Sequence, residues 1–275
     1  MTSSLQATTP LEELKAKQHQ IWSNGDYSKI AWVTVPLAER LCDGVELRPG
    51  SSVLDVACGT GHVAIQAART FCDVTGIDYV AELVETARRR AAAEGLTIAF
   101  EVADAETLPF QDSSFDYVVS AIGVMFTADH DRAAAELVRV CKPGGTIGLA
   151  NWTAEGFIGR LLKIVSGHVP PPPVALPPTR WGNETVVREL LGDAVTEVSS
   201  HTHVVTQRFL SPEAFADFML TYYGPTYTAN QRLDEQGRAA FRKDIVALAG
   251  ETNRATDGTF VTDWEYRVIS AVKTA

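Results

Sequence analysis

Apolar positions change their period along the chain, and the changes mark its elements. Leu11, Leu14, Ile21 and Trp22, with Gln18 on the same side, recur at helical spacing. Gly25-Asp26 breaks that run, and the spacing predicts a second helix from about Tyr27 to Leu41. From Ser52 onward short β-rich runs alternate with helical ones. SVLDVA and DVTGID read as strands, each followed by a helix, HVAIQAART and AELVETARRRAAAEG, the latter stopping at Gly95. TIAFEVAD and FDYVVSAI read as the third and fourth strands. DRAAAELVRVC is helical, and Gly144-Gly145 turns the chain into a fifth strand, TIGLANW. Strands separated by helices of this length imply βαβ units and a parallel sheet covered on both faces.

Residues 170–178, PPPPVALPP, carry six prolines in nine positions and cannot form a helix interior or a central strand. An extended connector or loop wall is the simplest reading, ahead of a polyproline recognition ligand. Beyond it the pattern predicts a helix at Glu184–Leu191, a strand over VTEVSSHTHVVTQRF, helices around Pro212–Tyr222 and Glu235–Ala249, and a closing alternating strand, FVTDWEYRVISAVK. No internal repeat is visible.

Composition narrows the classes. At 275 residues the chain fits one elaborated domain or two modest ones. Its 45% hydrophobic and 21% charged residues exclude disorder as the main state. A formal charge of −10 opposes a nucleic-acid partner, which usually needs a basic patch. No apolar run reaches the 18 or so residues of a membrane span, and MTSSLQATTPLEELKAK lacks the apolar core of a signal peptide. The expectation is a cytoplasmic protein without a membrane partner. Cys42, Cys58, Cys72 and Cys141 have no metal-ligand or paired spacing, so they read as small buried residues.

The sharpest feature is Asp55-Val56-Ala57-Cys58-Gly59-Thr60-Gly61, a strand running into a glycine turn and then a helix. Such a turn lets backbone approach a ligand and aims a helix N-terminus at it. The dinucleotide fingerprint fails, because aligning Ala57 and Gly59 with its first two glycines puts His62 at the third. A P-loop fails for want of Gly-Lys-Ser/Thr. The motif DVACGTG instead resembles the class I S-adenosylmethionine-dependent methyltransferases, especially the branch of ubiquinone/menaquinone-type and small-molecule enzymes, over roughly residues 50–155. The first loop glycine is often alanine in that family, as Ala57 is here.

The resemblance implies S-adenosyl-L-methionine as cofactor, held by Asp55, Ala57, Cys58, Gly59 and Gly61 of the turn. Asp78, 23 residues after Asp55, then takes the ribose hydroxyls, and Tyr79 packs on the adenine. Asp104 and Ala105 match the adenine-amino position, and Ser120 falls beside the methionine portion. LPFQDSSFDYVVS and LVRVCKPGG match the stretches leading into the family's fourth and fifth strands. The implied fold class is α/β: a Rossmann-like, doubly wound sheet of seven strands, mostly parallel with the last strand antiparallel, plus a helical cap. Residues 1–45 are expected to form an N-terminal cap and 46–165 the cofactor-binding core. Residues 166–275 would complete the sheet, with a helical substrate-cap insertion at about 210–255.

Methyl transfer from a sulfonium is an in-line displacement, so placing the nucleophile supplies much of the catalysis. His130, ten residues past Ser120, is the leading candidate for a general base; its other reading is a helix-start residue, with Asp129 as N-cap. His201 and His203 share a strand face but have no third ligand at metal spacing. Trp22 and Tyr27 are either a cover over the methionine end or a core anchor. Trp152, Trp181, Phe157, Phe215, Phe218, Tyr222 and Tyr223 suit either an apolar, flat substrate or the core. The expected function is methyl transfer to a small, aromatic or apolar acceptor at oxygen, nitrogen or carbon. The alternatives are a cofactor-binding regulatory protein and a non-methylating enzyme using the same cofactor. Neither the accepting atom nor the oligomeric state is legible.

Overall fold

The computed structural model describes residues 9–275. Seven strands form one sheet: β1 (Ser52–Val56), β2 (Asp73–Asp78), β3 (Ala99–Val102), β4 (Phe115–Ala121), β5 (Cys141–Trp152), β6 (Val195–Phe209) and β7 (Phe260–Lys273). Their order is β3-β2-β1-β4-β5-β7-β6. The first five pair in parallel, whereas β7 lies antiparallel between β5 and β6. The expected sheet, including its antiparallel final strand, is the one observed. Val53, Leu54 and Val56 of β1 and Val118 and Val119 of β4 are buried on both faces, as central parallel strands require. Each such side chain contributes about 1.5–3 kcal/mol by leaving water.

The N-terminal segment holds α1 (Pro10–Ser23), α2 (Tyr27–Ala31) and α3 (Val35–Gly44). Thr9 and Glu12 form a reciprocal capping box at the start of α1. The single helix expected over Tyr27–Leu41 is instead two, joined by a 3₁₀ turn at Trp32–Thr34. Pro36 has no N–H to continue a helix and serves as a first-turn residue of α3. This third helix packs beside α4 (His62–Arg69) and on β4, β5 and β7, so it joins the layer on the sheet and not a cap. Residues 1–8 of the expected cap lie outside the described part.

The remaining helices are α5 (Ala81–Ala93), α6 (His130–Val140), α7 (Phe157–His168), α8 (Glu184–Leu191), α9 (Pro212–Tyr222), α10 (Gly224–Arg232) and α11 (Glu235–Thr252). Two of them, α7 and α10, were not anticipated from the sequence. Phe157, Ile158 and Leu161 carry the helical spacing that marks α7 and are buried. The helix α11 packs on α9 and α7, and α10 on α1, α7 and α9. Residues 170–177 form neither helix nor strand, as the prolines demand, and lead into a 3₁₀ turn at Pro178–Gly182.

Candidate active site

The sheet order arranges the loops that leave the strands' carboxyl ends. Ala103–Glu106 follows β3, Asp78–Tyr79 ends β2, Ala57–Gly59 follows β1, and Ala121–Gly123 ends β4; all of them line one cavity of about 950 Å³, counting its mouth. Open parallel sheets bind ligands at this edge. The helical segment α1–α2 closes the cavity from above with Lys15, Gln18, Trp22 and Tyr27.

The glycine turn is built from left-handed backbone. Ala57 has φ 55°, Gly59 φ 53° and Gly61 φ 81°. A Cβ on Gly59 would stand 3.2 Å from the Tyr27 ring, so glycine there keeps the cradle open. Gly61, expected among the cofactor residues, does not line the cavity. A Cβ there would meet Ala87 at 3.0 Å and the Phe100 ring at 3.1 Å, which makes it a helix-packing glycine. Cys58 does line it, but burial and then Asp55 and Asp78 push its thiol well up, so it stays neutral.

Two carboxyl groups lie at the cavity floor. Asp78, 5% exposed, accepts from Gly59 N–H on Oδ2 and from Val80 N–H on Oδ1, each at 2.9 Å, and so ties the β1 and β2 loops together. Burial raises its pKa to about 6 against the pull of those two bonds. Asp55 accepts from Ala64 N–H at 2.9 Å, and burial raises it to about 8. Both carboxyls therefore titrate far above the ordinary aspartate range.

Asp104 accepts from Glu106 N–H at 2.9 Å and from Lys15 Nζ at 2.7 Å. The same ammonium reaches Glu106 Oε2 at 2.5 Å, while Glu106 Oε1 accepts from Ala128 N–H at 2.8 Å and Asp129 N–H at 3.0 Å. Burial pulls Lys15 down, but its two carboxylate contacts leave it above its ordinary value. Lys15 and Glu106 were missed in the sequence; the only local signal was Lys15 sharing a helix face with Gln18 and Trp22. Ala105 and Tyr79 line the cavity, and His19 meets the Tyr79 ring edge-on at 5.1 Å.

Trp22 and Tyr27 both face the cavity. The Trp22 ring centroid lies 5.6 Å from Tyr27, 4.7 Å from Phe126 and 6.0 Å from Tyr223, all edge-to-face. His62, noted above only as a misfit to the dinucleotide pattern, also lines it. Its Nδ1 sits beside Arg90 at 3.1 Å, its Nε2 has no partner, and burial followed by Arg90 lowers its pKa to about 3. It is a neutral imidazole, not a base.

Two expectations are corrected. Ser120 is fully buried and does not line the cavity: its Oγ donates to Val56 O at 2.7 Å and accepts from Val124 N–H at 3.1 Å. It fastens the end of β4 to β1, and Ala121, Ile122 and Gly123 face the cavity instead. His130 is 2% exposed and lines neither this cavity nor the second one described below, with its ring edge-on to Trp181 at 5.8 Å. Burial and then Arg180 lower it to about 4. It lies on the buried stripe of α6 with Ala133, Ala134 and Leu137, which turns it inward. His130→Ala should therefore cost under about tenfold in turnover at saturating cofactor, where loss of a general base costs about 10²–10⁴-fold. A hundredfold loss that also removes a rising limb of the pH profile would restore His130 as the base.

A second, more open cavity of about 2530 Å³, counting the open space at its mouth, lies between α1, α7, α10, α11 and the proline segment. It shares Gln18, Trp22 and Phe126 with the first, so the two meet at that wall. Of the aromatic residues that suited either a substrate or the core, Trp152, Trp181, Phe157, Phe215 and Tyr223 are buried and Phe218 and Tyr222 pack against the core. Phe157 stacks on Trp264 at 5.9 Å, and none of the seven lines either cavity. Among the described residues no group of three His, Cys, Asp or Glu could hold a metal, and no helix is long and apolar enough to cross a membrane.

Residues 53–145 match a family described as a methyltransferase domain. The chain is 41% identical over 273 residues to an uncharacterized protein of Mycobacterium tuberculosis, covering 96% of this chain and 98% of that one. A demethylmenaquinone methyltransferase of Deinococcus radiodurans is 39% identical over 123 residues, which is 43% of this chain and 51% of the relative. A structure of Haemonchus contortus phosphoethanolamine N-methyltransferase 2, in complex with phosphomonomethylethanolamine and S-adenosylhomocysteine, superposes with TM-score 0.58 at 16% identity. That superposition covers 98% of this chain and 61% of the other.

Proposed function

The chain belongs to the class I S-adenosylmethionine-dependent methyltransferases, and from that premise we propose that it methylates a small apolar or aromatic acceptor that enters through the second cavity. The observation that carries this reading is the shared wall of Gln18, Trp22 and Phe126, where the two cavities meet.

The cofactor supplies an electrophilic methyl on a sulfonium. Asp78, with each oxygen already fixed by one backbone N–H, keeps lone pairs for a pair of ribose hydroxyls. Asp104 and Ala105, at the next strand along, would hold the adenine edge, and Tyr79 its face. The other direction along the sheet leads to Ala57–Gly59, Gly123, Tyr27 and Trp22, which would hold the methionine end. Aromatic faces there suit a cation as well as an apolar neighbour.

Among the described residues, none of the three at the shared wall is acidic or basic. Gln18 contributes an amide that can orient an acceptor, and Trp22 and Phe126 exclude water from the crossing point. Rate then comes from holding the nucleophile on the methyl axis, a term that well-oriented reactions can make worth about 7–11 kcal/mol. The partial likeness to a demethylmenaquinone methyltransferase makes quinols and flat phenols the first acceptors to try. Incubation with a labelled methyl donor and a panel of phenols, quinols and amines should show label transfer. Tight cofactor binding with no transfer to any member would favour a regulatory binding protein.

A further inference from the structure

Charge is unevenly distributed around the second cavity. Of its acidic residues, Glu251 is paired with Arg160, and Asp244 lies 2.7 Å from His168 Nε2. Among the described residues Lys17, Lys163 and Arg232 of the lining have no acidic partner; Glu155 has no basic one, and Asp244 is neutralised only where His168 is protonated. The lining as a whole carries four basic side chains against three acidic ones, a balance that departs from the chain's net charge of −10.

Their placement along the helices adds direction. Gly224, at the start of α10, packs on the end of α1, where a Cβ would stand 2.4 Å from the Ile21 carbonyl oxygen. Arg232 lies eight residues further along α10, about 12 Å away at 1.5 Å per residue. Lys17 lies five residues before Trp22 on α1, about 7.5 Å along the helix axis. The surface between is apolar, with Leu14, Ile21, Leu162, Val165 and Leu248 facing Pro170–Pro172. The proline segment is thus one wall of this chamber.

We propose that the acceptor is an elongated, apolar molecule ending in an anionic group, a carboxylate or a phosphate. Lys17, Lys163 and Arg232 hold that group, while the reacting end lies against Trp22 and Phe126. This inference rests on the acceptor reading of the second cavity. It deepens that reading by assigning the far end of the molecule, which neither the motifs nor the relatives address.

The test is calorimetric titration, with S-adenosylhomocysteine present, of dodecanoate, dodecyl phosphate, dodecanol and dodecylamine below their micelle-forming concentrations. At least one of the two anions should bind tenfold or more tighter than the amine, and added salt should shrink the difference. The double substitution Lys163→Glu with Arg232→Glu should bring the preference under twofold or invert it, with affinity for S-adenosylhomocysteine unchanged. Equal binding of amine and anions, a preference that survives the charge reversal, or no binding of any of the four overturns the proposal. Label transfer to the phenol, quinol and amine panel is scored separately. Its absence counts against methyl transfer, whereas a missing charge preference counts against the anionic group alone.

Discussion

Asp78→Ala should weaken binding of S-adenosylmethionine about 10- to 150-fold, the equivalent of about 1.5–3 kcal/mol for hydrogen bonds to a charged group. The carboxylate is nearly buried, anchors Gly59 and Val80, and lines the cavity between the ends proposed for adenine and methionine. Calorimetry on the variant decides it: unchanged affinity means that Asp78 does not take the ribose. The wild type should also show a pH dependence with a definite sign. Burial raises Asp78 to about 6 and Asp55 to about 8, so the folded, cofactor-free protein holds these protons more tightly than the unfolded chain does. Their contribution to stability is complete at low pH, below the ordinary aspartate value, and is lost as pH rises through about 6 and about 8. A cationic ligand favours the ionised carboxylates. Affinity should therefore climb as pH rises, toward tenfold per unit between about 6 and 8, where Asp55 alone titrates, and more steeply below about 6. Binding should release protons, which titrations in buffers of different ionisation enthalpy will register. In Asp78→Ala the part of the rise centred near pH 6 should vanish. Titration with NADH should show no comparable binding, since the turn lacks the third glycine of a dinucleotide site.

Trp181→Ala should lower stability by about 3–5 kcal/mol, the usual cost of emptying a buried aromatic site. Trp181 is fully buried, lies edge-on to His130 at 5.8 Å, and offers its carbonyl to Asn151 Nδ2 at 3.2 Å. Its indole N–H has no partner, so the loss is one of packing and not of a hydrogen bond. The next residue, Gly182, passes so close to β5 that a Cβ would stand 2.2 Å from the Trp152 carbonyl oxygen. Together these residues pin the end of the proline segment, which walls the second cavity. The melting temperature should fall by roughly 6–15 °C for a chain of this size. Because Trp181 lines neither cavity, cofactor affinity measured well below the new midpoint should stay within threefold, while the KM for an acceptor should rise. A fall of less than about 2 °C would show that the site collapses without cost and that the segment is held elsewhere.

Much of the fold was legible because it is written locally. The strands declare themselves by short β-rich runs, and the turn after β1 by glycines at 59 and 61 that hold left-handed backbone. Asp78 followed from its distance to Asp55 along one βαβ unit, a separation that the unit itself dictates. Pro36 should have marked the break between α2 and α3, because a missing N–H is visible in any sequence. His130 was also legible in principle: it continues the stripe of Ala133, Ala134 and Leu137, and a residue on that stripe faces the core.

Other features existed nowhere until the chain closed on itself. Lys15 meets Asp104 across 89 residues, a contact that no local pattern encodes. Ser120 sits at the right strand end but points at Val56 and not into the cavity, which depends on how β4 registers against β1. The aromatic second half could equally have lined a pocket, and it became core because β7 inserts beside β5 and brings Trp264 against Phe157. The second cavity takes its walls from α1, α7, the proline segment, α10 and α11. By itself the sequence determined the strand order's raw material, the cofactor turn and the acidic residues near it, since backbone conformation and short spacings are local properties. Which side chains face one another across the cavities was decided by the tertiary structure alone, because burial and contact depend on elements that the chain brings together from far apart.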